Sequence, residues 1–450
     1  MNNIAVADYL TPWSVDCFRG SSISPDAFIE TLIGGGDSRL AVDQRSGVNK
    51  YLCAPKPADD LIVASSCTAS PITEAAFQRC ASTYVDFSTS PSPNLRWAQL
   101  HLDIEARLLA YFGISGQARA VLCPSGTDAL LTATMMLASE QPGSQITAIL
   151  PQASETGSGV PRAASLRSFD GQAPSDVPLI DCAADVAEIQ LRCADGTPKG
   201  DDDINAAFAA AAVAATGRPI VFLTHGTKTG LIAPVIPPPG PDVIVDACQA
   251  RIEPSVVARY LRNGWPVVIT GSKFFGGPAF SGAVLFPAAR LPRSAGAHSP
   301  TPNPGALLRW LAALDAIEAF APVADRVASR LRRLSKAVEA GVAGCDNLVS
   351  LPGLSAGGTG WSDIPTIFSF AVRDPLDCKR LLSFTELRPI YTRMAERGVL
   401  LGQPVEFGEF GGLRIAIGAR DLLPGAIAEG NLEEVLSVLR EVSLARMSRS

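Results

Sequence analysis

Three segments put polar residues where short apolar runs end, and each could do chemistry. Lys273 lies in VVITGSKFFGGPAFSGAVLF, directly after one such run and before Phe274, Phe275 and the pair Gly276 and Gly277. An amine in apolar surroundings has its pKa lowered by desolvation, and the neutral amine is the form that attacks a carbonyl. A lone lysine after a strand is otherwise a surface residue. Asp246 ends the apolar part of VIVDACQA, with Gln249 three residues on. An ionised carboxylate there could pair with a buried cationic ring nitrogen, while Gln249 donates to a neighbouring oxygen. The plainer alternative is a strand-ending Asp that caps the next turn. The third segment, PSGTDA, contains Ser125, Gly126 and Thr127 between a strand and a helix. Gly126 lets the backbone approach a ligand, the first-turn amides point outward and Thr127 adds a hydroxyl, so a phosphate could be held there. An ordinary helix cap fits the same residues.

Elements that would position these residues recur through the middle of the chain. Seven short apolar runs (AVLC, ITAIL, VPLI, PIVFLT, VIVDA, PVVIT and GAVLF) have the length and uniform apolarity of buried strands. The longer gaps hold helical stretches such as 127–138 and 204–215. Alternating strands and helices predict an α/β fold with a largely parallel sheet covered on both faces. Ligands of such sheets bind beyond the carboxyl ends of the strands, where all three segments lie. Upstream, Trp97, Leu100, Ile104 and Leu108 keep helical spacing, predicting a helix over 96–112 that stops at a left-handed Gly113. Residues 1–90 give no assignable elements and read as an N-terminal arm. A Pro-, Ser- and Gly-rich linker, SAGAHSPTPNPG, separates a large domain at 91–300 from a smaller α+β domain at 301–450. That domain has a helix beginning near Ala306, an apolar stripe at Val327, Leu331, Leu334 and Val338, strand-like TIFSFAV and LRIAI, and a final helix from about Leu432.

Composition narrows the function classes. Of 450 residues, 47% are hydrophobic and 18% charged, which excludes a disordered chain. The net charge of −6 argues against a nucleic-acid partner held by counterion release. The most apolar-looking run, Ala206 to Ala215, is ten residues long, against the roughly 20 that a membrane span needs. The N-terminus lacks the pattern of a secretory signal, so a cytoplasmic location is expected. Ten scattered cysteines and three histidines fit reduced thiols and no metal site.

Taken together and in order, the segments resemble the fold-type I enzymes that use pyridoxal 5′-phosphate. The resemblance is to the branch with class V aminotransferases and cysteine desulfurases. Thr127, Asp246, Gln249 and Lys273 follow one another as that family's phosphate, ring and aldehyde contacts do, with 27 residues from Asp246 to Lys273. The resemblance covers residues 90–450 and implies a seven-stranded, mostly parallel large-domain sheet. It implies that Lys273 forms the internal aldimine and that Asp246 keeps the ring nitrogen protonated. Ser125, Gly126, Thr127, Thr270 and Ser272 become phosphate neighbours, Gln249 a ring contact, and Thr227 a polar group beside the cofactor or substrate. Lys228, in THGTKTGLIAP, is placed beside the cofactor or substrate and is the rival lysine. Where relatives cover the ring with an aromatic residue or His, this chain has PQASETGSG, leaving that contact to Glu155 or Thr156, with His225 as a substitute. Arg414, in GGLRIAIGAR, is implied as the grip on a substrate α-carboxylate, with Gln403 or Glu406 nearby. Family dimers complete the phosphate site from the partner chain, and the linker residues Thr301 and Asn303 are the candidates here.

The activity so implied is an aminotransferase-like reaction through a Cα carbanion. A lyase or β/γ-elimination-replacement enzyme of a biosynthetic pathway is the runner-up, and a non-catalytic cofactor-binding module the minor alternative. Cysteine desulfuration is disfavoured because neither Cys345 nor Cys378 sits in a small-residue loop like that family's. The expected partners are an amino substrate with a carboxylate and a second copy of the chain.

Overall fold

The computed structural model describes residues 16–18, 23–58, 60–169, 182–290, 302–353, 360–426 and 428–444. Its strands in chain order are β1 (Ile62–Ala64), β2 (Ala118–Cys123), β3 (Ile146–Pro151), β4 (Ala184–Ile189), β5 (Arg218–His225), β6 (Ile232–Ala233), β7 (Asp242–Ala247), β8 (Val267–Thr270), β9 (Gly282–Pro287), β10 (Leu348–Leu351), β11 (Ile367–Val372), β12 (Val399–Phe407) and β13 (Phe410–Ala416). The large sheet runs β2-β9-β8-β7-β5-β3-β4, and the short β6 pairs with β5. Strands β4, β3, β5, β7 and β8 are mutually parallel, and β9 is antiparallel to both β8 and β2. Because β2 and β8 both oppose β9, the carboxyl ends of β2, β3, β5, β7 and β8 share one edge. Strands β3, β8 and β9 are buried along their whole length, as their unbroken apolar runs require.

Six of the seven expected runs lie on strands of this sheet. The seventh, VPLI, lies outside the described residues, and the edge position is held instead by β4, a strand with no fully buried residue that apolarity alone does not reveal. Helices cover the sheet at Pro93–Tyr111, Gly126–Ser139, Asp201–Ala214 and Pro304–Phe320. The first ends where Gly113 takes a φ of 64°. Trp310 and Arg309, both fully buried, fix the last of these helices: Trp310 Nε1 donates to the Gly282 carbonyl at 2.9 Å, and Arg309 donates to Phe280, Leu32 and Gly34 carbonyls.

The N-terminal region is more ordered than its composition suggests. Helices occupy Pro25–Ile33 and Glu74–Ser88, and the first has Ser24 as cap with proline at its start. Strand β1 leaves this region and pairs in parallel with β12, so the second sheet, β1-β12-β13-β11-β10, combines the two ends of the chain. The expected C-terminal strands are β11 and β13. The apolar stripe at Leu331, Leu334 and Val338 is the buried face of helix Ala328–Ala343, and the last helix is Ala428–Leu444. No helix among the described residues is long and apolar enough to cross a membrane.

Candidate active site

The shared edge of the large sheet gathers the three segments. After β2, Ser125 caps helix Gly126–Ser139: its hydroxyl accepts from the Asp128 amide at 3.2 Å and donates to the Asp128 carboxylate at 2.7 Å. Among the described residues the amides of Gly126 and Thr127 make no hydrogen bond, as the first turn of a helix dictates. Gly126 is required by close approach: a Cβ there would lie 2.8 Å from Cys248 Sγ and 2.9 Å from Thr270 Cγ2. The cradle after β2 therefore touches the ends of β7 and β8.

Asp246 is buried at the end of β7, one carboxylate oxygen accepting from the Cys248 amide at 3.0 Å. Lys273, three residues past β8, is half-buried. Burial pushes its amine below the usual lysine range, Cys248 and Asp246 pull it back up, and Arg414 lowers it again. Ser272 is buried beside it, and among the described residues its hydroxyl makes no hydrogen bond. The Thr270 hydroxyl donates to the Cys248 carbonyl at 2.7 Å, tying β8 to the turn after β7.

Several expected ligand contacts have other partners. Gln249 is buried with its amide fixed at both ends, donating to the Cys67 carbonyl at 3.1 Å and accepting from Arg251 at 2.9 Å. Glu155 pairs with Arg192 at 2.5 Å and accepts from Thr229 at 2.6 Å, so both oxygens of its buried carboxylate are occupied. Thr156 is buried with its hydroxyl turned to the Gln152 carbonyl at 3.4 Å. Thr227 shapes the turn after β5, its oxygen accepting from the Thr229 and Leu231 amides. His225 bonds Tyr260 at 3.0 Å, and burial first, then Arg259, pushes its pKa down to about 4. Gln403 donates through its side chain to the Lys50 carbonyl at 3.0 Å. Asn303 caps helix Pro304–Phe320 and donates to the Gly35 carbonyl at 2.7 Å, and Thr301 lies outside the described residues.

Arg414 and Lys228 come together across the two sheets. Arg414, buried on β13, donates from Nη1 to the Lys228 carbonyl at 2.9 Å, from Nη2 to Thr68 Oγ1 at 3.0 Å, and from Nε and Nη2 to the Gln403 carbonyl. One Nη1 hydrogen is left over. The Lys228 amine donates to the Ala153 carbonyl at 2.9 Å, reaching into the loop after β3. Glu406 is exposed on β12. The sequence reading missed Thr68, Cys67 and Cys248. The first two follow β1 in an arm whose Pro and Gly content masks the strand, and Cys248 stood unremarked between Asp246 and Gln249. No group of metal-ligating side chains occurs among the described residues.

No family model matches the chain, and no curated protein matches it in sequence. Solved structures do match in shape. A cysteine desulfurase of Escherichia coli aligns over 85% of this chain and 95% of its own at 13% identity and a TM-score of 0.55. The glutamate decarboxylase domain of a Vibrio parahaemolyticus transaminase–decarboxylase aligns over 98% and 95% at 13% identity and 0.56. The fold is that of the fold-type I pyridoxal-phosphate enzymes. Fold type I also holds a putative histidinol-phosphate aminotransferase of Erwinia carotovora, aligned over 87% and 98% at 17% identity and 0.51. A desulfurase, a decarboxylase and an aminotransferase thus share this architecture, and the architecture does not choose between their reactions.

Proposed function

We propose that this chain is a pyridoxal-phosphate-dependent enzyme acting on an amino acid or related amine, with amino-group transfer as the favoured reaction. The observation that carries the reading is the desolvated amine of Lys273 on the sheet edge where buried Asp246 and the open amides of Gly126 and Thr127 also end. These residues fit the group. The two amides with the Thr127 and Ser272 hydroxyls would hold its phosphate, Asp246 its ring nitrogen, and Lys273 its aldehyde carbon. When bound, the group supplies a sink for the electron pair released at the substrate Cα.

The chain's own residues supply the rest. The Asp246 carboxylate would hold positive charge on the ring nitrogen, and Lys273, set free by the incoming amine, would move a proton at Cα. Arg414 would take the α-carboxylate with the Nη1 hydrogen that its carbonyl partners leave, its plane fixed by Gln403, Thr68 and Lys228. Desulfuration is disfavoured by where the thiols stand. Cys345 is buried and bonded to Gly341 and Arg440, and Cys378 is exposed on the small domain. Cys248 is half-buried at the site and held well above the usual thiol range by desolvation and Asp246, so it stays protonated. A homodimer belongs to the same reading.

The test is borohydride reduction of protein incubated with pyridoxal phosphate, followed by peptide mapping. The tag is expected on Lys273, and a tag on Lys228 or none at all sinks the proposal. Incubation with a panel of amino acids then separates reactions: keto acid with the pyridoxamine form marks transfer, a released leaving group marks elimination, and cofactor without response marks a binding module. Gly126→Val should weaken cofactor affinity about tenfold or more, since overpacking of this kind costs about 1–3 kcal/mol. Titration with pyridoxal phosphate checks it, and wild-type affinity in the variant would show that the cradle is not where the phosphate sits.

A further inference from the structure

We infer that Lys228 is a second anion-binding point of the site, selecting an amino substrate whose side chain carries an acidic group. This rests on the reading just proposed and adds the substrate class. The backbone of Lys228 is pinned from two sides: its amide donates to the Glu155 carbonyl at 2.7 Å, and its carbonyl accepts from Arg414 at 2.9 Å. Its ammonium has three donors, and among the described residues it spends one, on the Ala153 carbonyl. A carbonyl satisfies a donor and leaves the charge unanswered.

The charged groups that face Lys228 come from four elements. Arg414 on β13 is a cation, Lys273 after β8 is an amine that burial holds below the usual lysine range, and Glu155 in the loop after β3 and Glu406 on β12 are acids. Glu155 is already committed to Arg192 and Thr229, and Glu406 is exposed. Burial first, then Arg414 and Lys273, lowers the Lys228 amine to about 8. A half-buried cation beside the Arg414 guanidinium is costly until an anion arrives. With the α-carboxylate on Arg414, a neutral amino acid leaves Lys228 in that state, and a side-chain carboxylate, sulfinate or phosphate relieves it.

Two measurements test this. Calorimetry of the protein with succinate and glutarate, against their monoamides, reads anion binding without turnover. The diacids are expected to bind about tenfold or more tightly than the monoamides, the strength of a charge-assisted hydrogen bond. Their affinity should fall as pH rises above about 8, because the bound anion favours the protonated amine and binding takes up a proton. In Lys228→Met the acid-to-amide ratio should drop to near one, and Lys228→Arg should restore part of it. The cofactor-loaded protein, followed by its visible spectrum, should prefer aspartate, glutamate, cysteine sulfinate or phosphoserine over asparagine and glutamine. Equal affinity for acids and amides, or an unchanged ratio in Lys228→Met, overturns the inference. A chain that binds cofactor and answers neutral amino acids equally loses only this inference, whereas a chain that binds no pyridoxal phosphate loses the parent reading and this one with it.

Discussion

Lys273→Ala is expected to lower turnover at least about a thousandfold, within the range for loss of a positioned proton-transfer group, while leaving the fold intact. The two halves of that result have one cause. The amine is held below the usual lysine range because burial penalises its charged form, and that penalty makes it available as a nucleophile. The same burial costs stability. With the folded pKa depressed, the unfolded chain binds a proton at this position more readily than the folded chain at neutral pH, so folding there works against the lysine. Alanine removes that cost, and the variant without cofactor should melt at or above the wild-type temperature. A residue that merely braced the turn after β8 would give the opposite sign. Lys273→Arg should fail to rescue turnover, since a guanidinium keeps its proton at any accessible pH. Turnover and thermal melting of the three chains, side by side, decide the matter, and wild-type turnover in Lys273→Ala would end the assignment.

What could be read in advance follows the range of the forces involved. Lys273, Asp246 and Gly126 were legible because each ends an apolar run, and parallel packing brings the ends of such runs to one edge. The commitments of Glu155 were not. Its partners Arg192 and Thr229 stand 37 and 74 residues away, and neither carries a local mark of pairing. Gln249 was legible as a residue near the site but not as one whose amide is claimed, because its donor group goes to the Cys67 carbonyl 182 residues upstream, while its oxygen is taken by Arg251 two residues on. The arm itself did carry one readable signal, serine then proline ahead of DAFIETL, which is a helix start. Its strand β1 is too short for periodicity to show, and its place is set by β12 from the other end of the chain.

Arg192→Ala is expected to destabilise the protein by about 3–5 kcal/mol, the cost of leaving a buried carboxylate without its partner. Arg192 is buried, and every arm of its guanidinium is used: Nε on Glu155, Nη2 on Thr229, Nη1 on the Gly196 and Pro352 carbonyls at 2.7 and 2.9 Å, with the plane over Phe407. Pro352 follows β10 and Phe407 ends β12, both strands of the second sheet, so this one side chain joins the strand edge of the large sheet to the other sheet. With Arg192 gone, Glu155 keeps Thr229 alone, and a buried carboxylate with one hydroxyl donor is far from satisfied. If that charge is the source of the loss, removing it should repair the chain. The double variant Arg192→Met with Glu155→Leu should recover most of the stability, since an apolar pair of similar volume replaces a buried ion pair at little cost. Denaturant unfolding of the single and double variants measures the coupling. Additive losses would show that the two side chains contribute separately and that the pair is not what locks the loop after β3. The Lys228 amide donates to the backbone carbonyl of residue 155, a contact that neither substitution removes, so a change in substrate preference in the recovered double variant is expected to read the lost charge and not a displaced loop.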